Sequence, residues 1–146
     1  MARKHVVTVE RLIDHPIEEV FRHYTDHAGW SSWVGLGKVR LVQEGSPHRD
    51  GVGAVRAFSA APGLREEVTL FEPPQRMEYR VTRGAYPITD HHGEVLFTPD
   101  RKGTRVLWRV SFRSKLPGIG WALRGGIALV FRGILARLAR ELDGRA

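Results

Sequence analysis

Among its 146 residues the chain has no cysteine, only two methionines and fewer acidic side chains than basic ones. The missing thiol excludes a disulfide framework, a thiolate zinc site and a cysteine nucleophile, and it agrees with a cytoplasmic location. Long apolar runs are also lacking. The most apolar stretch, Gly125 to Phe131, is closed at both ends by Arg124 and Arg132, and seven residues fall far short of the roughly 20 that a bilayer requires. The opening Met1-Ala2-Arg3-Lys4-His5-Val6-Val7 is basic but has no apolar stretch of signal-peptide length, so a soluble protein is expected.

Familiar catalytic and cofactor signatures are absent too. Gly51-Val52-Gly53 has no third glycine and no following helix, so it does not form a dinucleotide loop. Neither a Gly-x-Ser-x-Gly elbow nor a phosphate loop occurs. His23 and His27 have the spacing of helical metal ligands, but no glutamate follows His23 and no third ligand is evident. No metal site and no cofactor are therefore expected.

What is present is the composition of one ordinary globular domain: 42% hydrophobic and 27% charged residues, with 23 Lys+Arg against 16 Asp+Glu. A net charge of +7 makes acidic lipid headgroups, nucleic acid or an acidic protein conceivable contacts. The arginines are spread along the chain rather than gathered in a tail, which favours a solvated surface and no nucleic-acid partner. Transient contact with an anionic membrane, and a monomeric or homodimeric state, are the expectations that remain.

Periodicity divides the chain clearly. Residues 5–13 alternate and are β-branched, predicting a strand. His15-Pro16-Ile17-Glu18 is a helix start, followed by Ile17, Val20, Phe21 and Tyr24 at helical spacing; a second short helix is expected around 26–33. From 38 to 113 the period is two. Strands are predicted over 38–43, 53–59, 64–71, 76–83, 91–98 and 104–113, separated by Pro- and Gly-rich turns that imply an antiparallel meander. After Leu116-Pro117-Gly118 a long helix runs to about Leu142, with an apolar stripe of Leu123, Ile127, Val130, Phe131, Ile134, Leu135 and Leu138.

The class is α+β: a curved seven-stranded antiparallel sheet around one long C-terminal helix, with two short helices after the first strand. Such a sheet and helix leave space between them, so an internal cavity of about 300–1,000 Å³ is expected. Strand parity assigns its lining. Val106, Trp108, Val110 and Phe112 share one face against Arg105 and Arg109; Met77, Tyr79 and Val81 share another, as do His91, Val95 and Phe97. Turn positions set Arg56 opposite Glu66, Phe58 opposite Leu64, Ala54 opposite Val68, Val68 opposite Tyr79 and Leu70 opposite Met77.

An arginine–glutamate pair thus enters a mainly apolar interior, where it can orient a polar group of a guest. The alternative is a solvated pair near an edge, worth about 0–1 kcal/mol. Arg56, Glu66 and His91 are the candidate catalytic groups, with His91 able to act as an acid or base near neutral pH. The candidate ligand-binding set adds Trp33, Phe58, Tyr79, Phe97, Trp108, Val110, Phe112, Leu123, Ile127 and Phe131. Tyr86, on a loop tip, and Trp121, opening the last helix, are candidate gate residues. Trp30 and Trp33, three apart, read as core. Glycines 125, 126 and 133 inside the last helix leave room for a close neighbour or a guest, or let the helix shift.

Val9–Ile13, His15-Pro16-Ile17-Glu18-Glu19-Val20-Phe21, Asp26…Trp30 and Trp33 resemble the opening of the START-like (Bet v 1-like, SRPBCC) superfamily. So do Gly51-Val52-Gly53-Ala54-Val55-Arg56, Glu67-Val68…Pro73-Pro74…Met77-Glu78-Tyr79 and Gly103-Thr104-Arg105-Val106…Trp108. The nearest branch is the polyketide cyclase/dehydrase and lipid-transport group. This resemblance implies a single START-like domain over residues 1–146, a helix-grip fold and a cavity for a small hydrophobic ligand such as a lipid or polyketide. It implies transport or sequestration of that ligand, or cyclase/dehydrase chemistry by pocket polar groups without metal or redox cofactor; contact with a chaperone, as in some relatives, is a third reading. The cyclase set of Arg, Tyr and Ser has no motif match in this chain.

Overall fold

The structure is a computed structural model and describes residues 3–145; the first two residues of the basic opening, Met1 and Ala2, lie outside the described residues. Strand β1 (Lys4–Ile13) is followed by helix α1 (Ile17–Thr25) and a 3₁₀ helix (Ala28–Ser32). Six strands come next: β2 (Val39–Gln43), β3 (Val55–Phe58), β4 (Arg65–Glu72), β5 (Arg76–Arg83), β6 (Ile88–Asp100) and β7 (Gly103–Ser114). Helix α2 (Gly120–Asp143) closes the chain. All pairings are antiparallel, in the order β1-β7-β6-β5-β4-β3-β2. The last strands thus fold back onto the first, and β1 and β2 form the two edges.

Alternation puts one residue in two on the concave face. Val106, Trp108, Val110 and Phe112 of β7 are all buried, as are Met77 and Tyr79 of β5 and Val95 and Phe97 of β6. Arg76, Arg80, Arg105 and Arg109 project from the convex face and are tied to Glu78, Glu94, Glu67, Glu10 and Asp100. Helix α1 supplies Val20, Phe21 and Tyr24 to the core; Phe21 meets Phe97 edge-on at 5.0 Å. Glu18 and Glu19 in its first turn suit the positive end of the helix dipole, and Pro16 is its cap rather than its first residue.

Helix α2 packs on β1 and is held unevenly. Its second half buries Ile134, Leu135, Leu138 and Leu142. In its first half Trp121, Leu129 and Val130 are exposed, and Leu123, Ile127 and Phe131 are only half-buried. A methyl group on Gly125, Gly126 or Gly133 would touch nothing, so these glycines make no close approach to a neighbour, contrary to the first of the three expectations.

Two register details differ from the sequence reading. Arg56 opposes Glu66 and Val68 opposes Tyr79 as expected, but Met77 pairs with Phe71 and Leu70 with Glu78. An irregularity between Val68 and Leu70 inserts the extra residue, which turn positions alone cannot reveal. A second irregularity between Thr89 and His92 lies beside Asp90, whose φ of 50° is left-handed.

Candidate functional site: an internal cavity backed by a buried ion pair

Between the sheet and α2 lies a cavity of about 170 Å³. It is smaller than the expected range because large side chains fill the concave face: Trp108, Arg56, Tyr24, Tyr79 and Phe112 are among the bulkiest fully buried groups. Its floor is Trp30, Tyr79 and Trp108; its roof is Val130, Phe131 and Ile134 from α2; its outer end is Leu36, Phe58 and the Ala60–Leu64 turn. Phe131 stacks flat on Trp108 at 3.8 Å and 9°, joining the helix to the sheet.

The polar side of this space is built by neighbouring strands. Arg56 on β3 is fully buried and its Nη2 donates to Glu66 Oε1 on β4 at 2.7 Å. The alternative of a solvated edge pair is thereby excluded. The guanidinium lies between two aromatic faces, 5.0 Å from the Trp30 centroid and 4.8 Å from that of Tyr79. Its Nε and Nη1 have no hydrogen-bond partner among the described residues, so these π faces, with Glu66, balance the charge.

Tyr79 reaches this place because its neighbour is Gly93. A Cβ there would come within 2.3 Å of the ring. The Tyr79 hydroxyl accepts a hydrogen bond from Trp108 Nε1 at 2.8 Å, which leaves its own proton to point at an acceptor. Glu66 also lines the cavity. Burial pushes its carboxyl upward from the usual range, and Arg56 opposes without cancelling this. Tyr79 is likewise raised, by burial first and then by Glu66. The cavity therefore offers one phenolic donor and one carboxyl that holds its proton more readily than a solvated glutamate.

Below the arginine, His27 is fully buried with Nδ1 3.1 Å from Asp50 Oδ1. Burial, then the positive charge of Arg56, lowers its pKa to about 4 despite the carboxylate. His27 is neutral at pH 7. The Tyr24 hydroxyl and His27 Nε2 are buried here without hydrogen-bond partners among the described residues.

The candidate residues fall into three groups. Phe58, Glu66, Tyr79, Trp108 and Phe131 line the cavity, with Arg56 directly behind Glu66. Trp33, Phe97, Val110 and Phe112 are buried away from it: Trp33 packs on Trp30 and His23, Phe97 on Phe21 and Tyr24, and Phe112 on His5. Leu123 and Ile127 pack partly against the core below the helix without lining the space. Tyr86 and Trp121 are 71% and 72% exposed and touch no part of the cavity.

His91 stands behind Tyr79 at 5.5 Å between centroids, and its Nδ1 accepts from the Val81 N–H at 3.1 Å. Burial, His92 and Arg56 together lower its pKa to about 4. It lines a shallow depression with Tyr86 rather than the cavity.

Sequence reasoning missed Trp30. Its indole N–H is spent on Tyr24 O at 2.6 Å, while its ring forms a cavity wall; the spacing to Trp33 showed only that both turn inward. A larger depression, about 880 Å³, lies elsewhere, beside α1 and the 48–50 and 73–74 turns. It is lined by mixed charges, including Glu18, Arg22, Asp26 and Arg49, and lacks the mostly apolar lining an apolar guest requires. Among the described residues no group of three His, Asp or Glu side chains is placed to hold a metal ion.

An antiparallel sheet gripping a C-terminal helix over a small, mostly apolar hollow defines the helix-grip fold class. The chain belongs to the family described as polyketide cyclase / dehydrase and lipid transport, whose model matches residues 4–143. No curated protein sequence matches the chain. Among solved structures, a protein of Nitrosospira multiformis is similar at 21% identity and a TM-score of 0.77, covering 97% of this chain and 100% of that one. The di-domain ARO/CYC StfQ from the steffimycin biosynthetic pathway is similar at 13% identity and a TM-score of 0.76, over 97% of this chain and 52% of StfQ. Norcoclaurine synthase from Thalictrum flavum, in complex with dopamine and hydroxybenzaldehyde, is similar at 10% identity and 0.75, over 99% and 90%. At these identities the likeness is one of fold.

Proposed function

We propose that the chain binds a small hydrophobic molecule, of one or two fused rings with an oxygen substituent, in the cavity between β3–β7 and α2. The observation that carries this reading is the cavity itself: about 170 Å³, apolar on most sides, with Tyr79 and Glu66 among its lining residues. A cavity of ~150 Å³ lined by apolar side chains holds benzene. The ring of the guest lies beside the stacked Trp108–Phe131 pair, toward Leu36 and Phe58, and its oxygen accepts from Tyr79.

The upward shift of Glu66 favours a second reading, in which its carboxyl moves a proton to or from a carbonyl-bearing guest, as cyclase or dehydrase chemistry demands. Both readings use the same space. Titration with 2-naphthol, followed by quenching of tryptophan emission, tests the first: saturable binding is expected, and Ala61→Trp, which fills the outer end, should abolish it. Non-saturable quenching, or quenching unchanged in Ala61→Trp, refutes the reading. Native mass spectrometry of the purified protein should show an adduct of low mass.

A further inference from the structure

The distribution of charge is more telling than its total. Residues 57–65, 82–89 and 113–140 carry eight of the 23 Lys and Arg side chains and none of the 16 Asp and Glu. The remainder of the chain is one short of neutral, so the whole positive excess belongs to these three segments.

The fold brings the two loops and the start of α2 to one end, while the C-terminal part of α2, with Arg140, runs to the other end, where Asp143 meets His15. The β5–β6 loop meets the β7–α2 loop, where Lys115 N–H donates to Pro87 O at 2.7 Å. Gly84 packs directly on the backbone of Gly63 in the β3–β4 turn. The same turn and α2 together form the outer end of the cavity. Here lie the three most exposed large apolar side chains, Tyr86 at 71%, Trp121 at 72% and Leu129 at 71%, with Val130 and Leu116 beside them; Val6, Leu12, Val42 and Val52, less exposed, lie on β1, β2 and the β2–β3 loop. Elsewhere the opposite holds, because convex-face arginines are neutralised by glutamates.

We propose that this end is a docking surface for an anionic lipid bilayer, engaged by Trp121 and Leu129 of α2 with Arg124 and Arg132 beside them. Exposed aromatics with one polar tip suit the headgroup region, and aliphatic side chains reach just below it. Arg124 and Arg132 form no ion pair among the described residues and attract the negative leaflet, each worth about fivefold in binding, whereas Arg113 is paired with Asp90. Charge complementarity therefore selects a membrane over an apolar protein face. A second copy of this chain would set like charge against like charge. The surface stands on exposure and charge alone and does not depend on what the cavity holds.

The test is sedimentation of the full chain with phosphatidylcholine vesicles, with and without phosphatidylglycerol. Binding is expected only to the anionic vesicles, weakening as salt rises, with a blue shift of Trp121 emission. Leu129→Ser should weaken binding severalfold. Arg124→Glu with Arg132→Glu should weaken it by about 25-fold or more. Arg101→Glu with Lys102→Glu, the same charge change in the exposed β6–β7 turn, should have only a small effect; equal losses in the two pairs overturn the proposal. So do the absence of binding to anionic vesicles, and a dimer in sedimentation equilibrium that Leu129→Ser dissociates. A failure of 2-naphthol binding leaves these outcomes unchanged.

Discussion

Removing one partner of the buried pair should cost more than removing both. In Glu66→Leu, Arg56 keeps its proton, since a guanidinium does not deprotonate in proteins, and keeps its burial. Only the rings of Trp30 and Tyr79 remain to balance the charge. An uncompensated buried charge costs about 3–5 kcal/mol. For a domain of this size that lowers Tm by roughly 10–15 °C. Arg56→Met behaves differently, because the Glu66 carboxyl is already shifted upward and can escape as the neutral acid; a loss of about 1–2 kcal/mol is expected. The double variant should return to within about 1 kcal/mol of the parent. Urea unfolding at pH 7, followed by tryptophan fluorescence and far-ultraviolet circular dichroism, reads all four corners of the cycle. Strictly additive single losses, or a Glu66→Leu loss below about 1 kcal/mol, would show that water reaches the arginine and would refute the argument.

Other outcomes follow from the same geometry. His27 and His91 titrate near 6.5 when unfolded and near 4 when folded, so the unfolded chain binds more protons between these values. The stability they support is complete above about pH 6.5 and is lost as pH falls toward 4, by up to about 3 kcal/mol each; a urea midpoint constant from pH 6.5 to 4.5 would contradict this. Gly93→Ala should unfold the protein or displace Tyr79, visible as lost near-ultraviolet dichroism, because the added methyl overlaps the ring. Gly125→Ala and Gly133→Ala meet open space and should each stabilise by about 0.5–1 kcal/mol in thermal unfolding. Phe131→Ala should cost about 3 kcal/mol and admit a larger aromatic guest, measured by fluorescence titration with 2-naphthol and a bulkier analogue.

Much of this was legible before the structure. Turn chemistry at Pro62-Gly63 fixed the Arg56–Glu66 register, and strict alternation in β7 separated Trp108 from Arg109. The Leu70–Met77 pairing was not legible, since a bulge leaves no mark in a run of ordinary strand residues. Trp30 and Trp33 carry the same sequence signal, yet only Trp30 faces the cavity, because the 3₁₀ helix ends at Ser32 and Trp33, its C-cap with φ −137°, has left the helical path. Tyr86 and Trp121 were placed at the mouth by their loops. Their side chains point to solvent because nothing in the β5–β6 loop or the start of α2 covers them.

The stack of Phe131 on Trp108 sets how much room the interior offers. One benzyl group, on the less firmly held half of a glycine-bearing helix, occupies the position where a larger hollow would begin. Turning it outward about its first torsion would enlarge the hollow without breaking a single backbone hydrogen bond. On the proposed reading, the size of guest admitted is set at residue 131, where substitution should grade it.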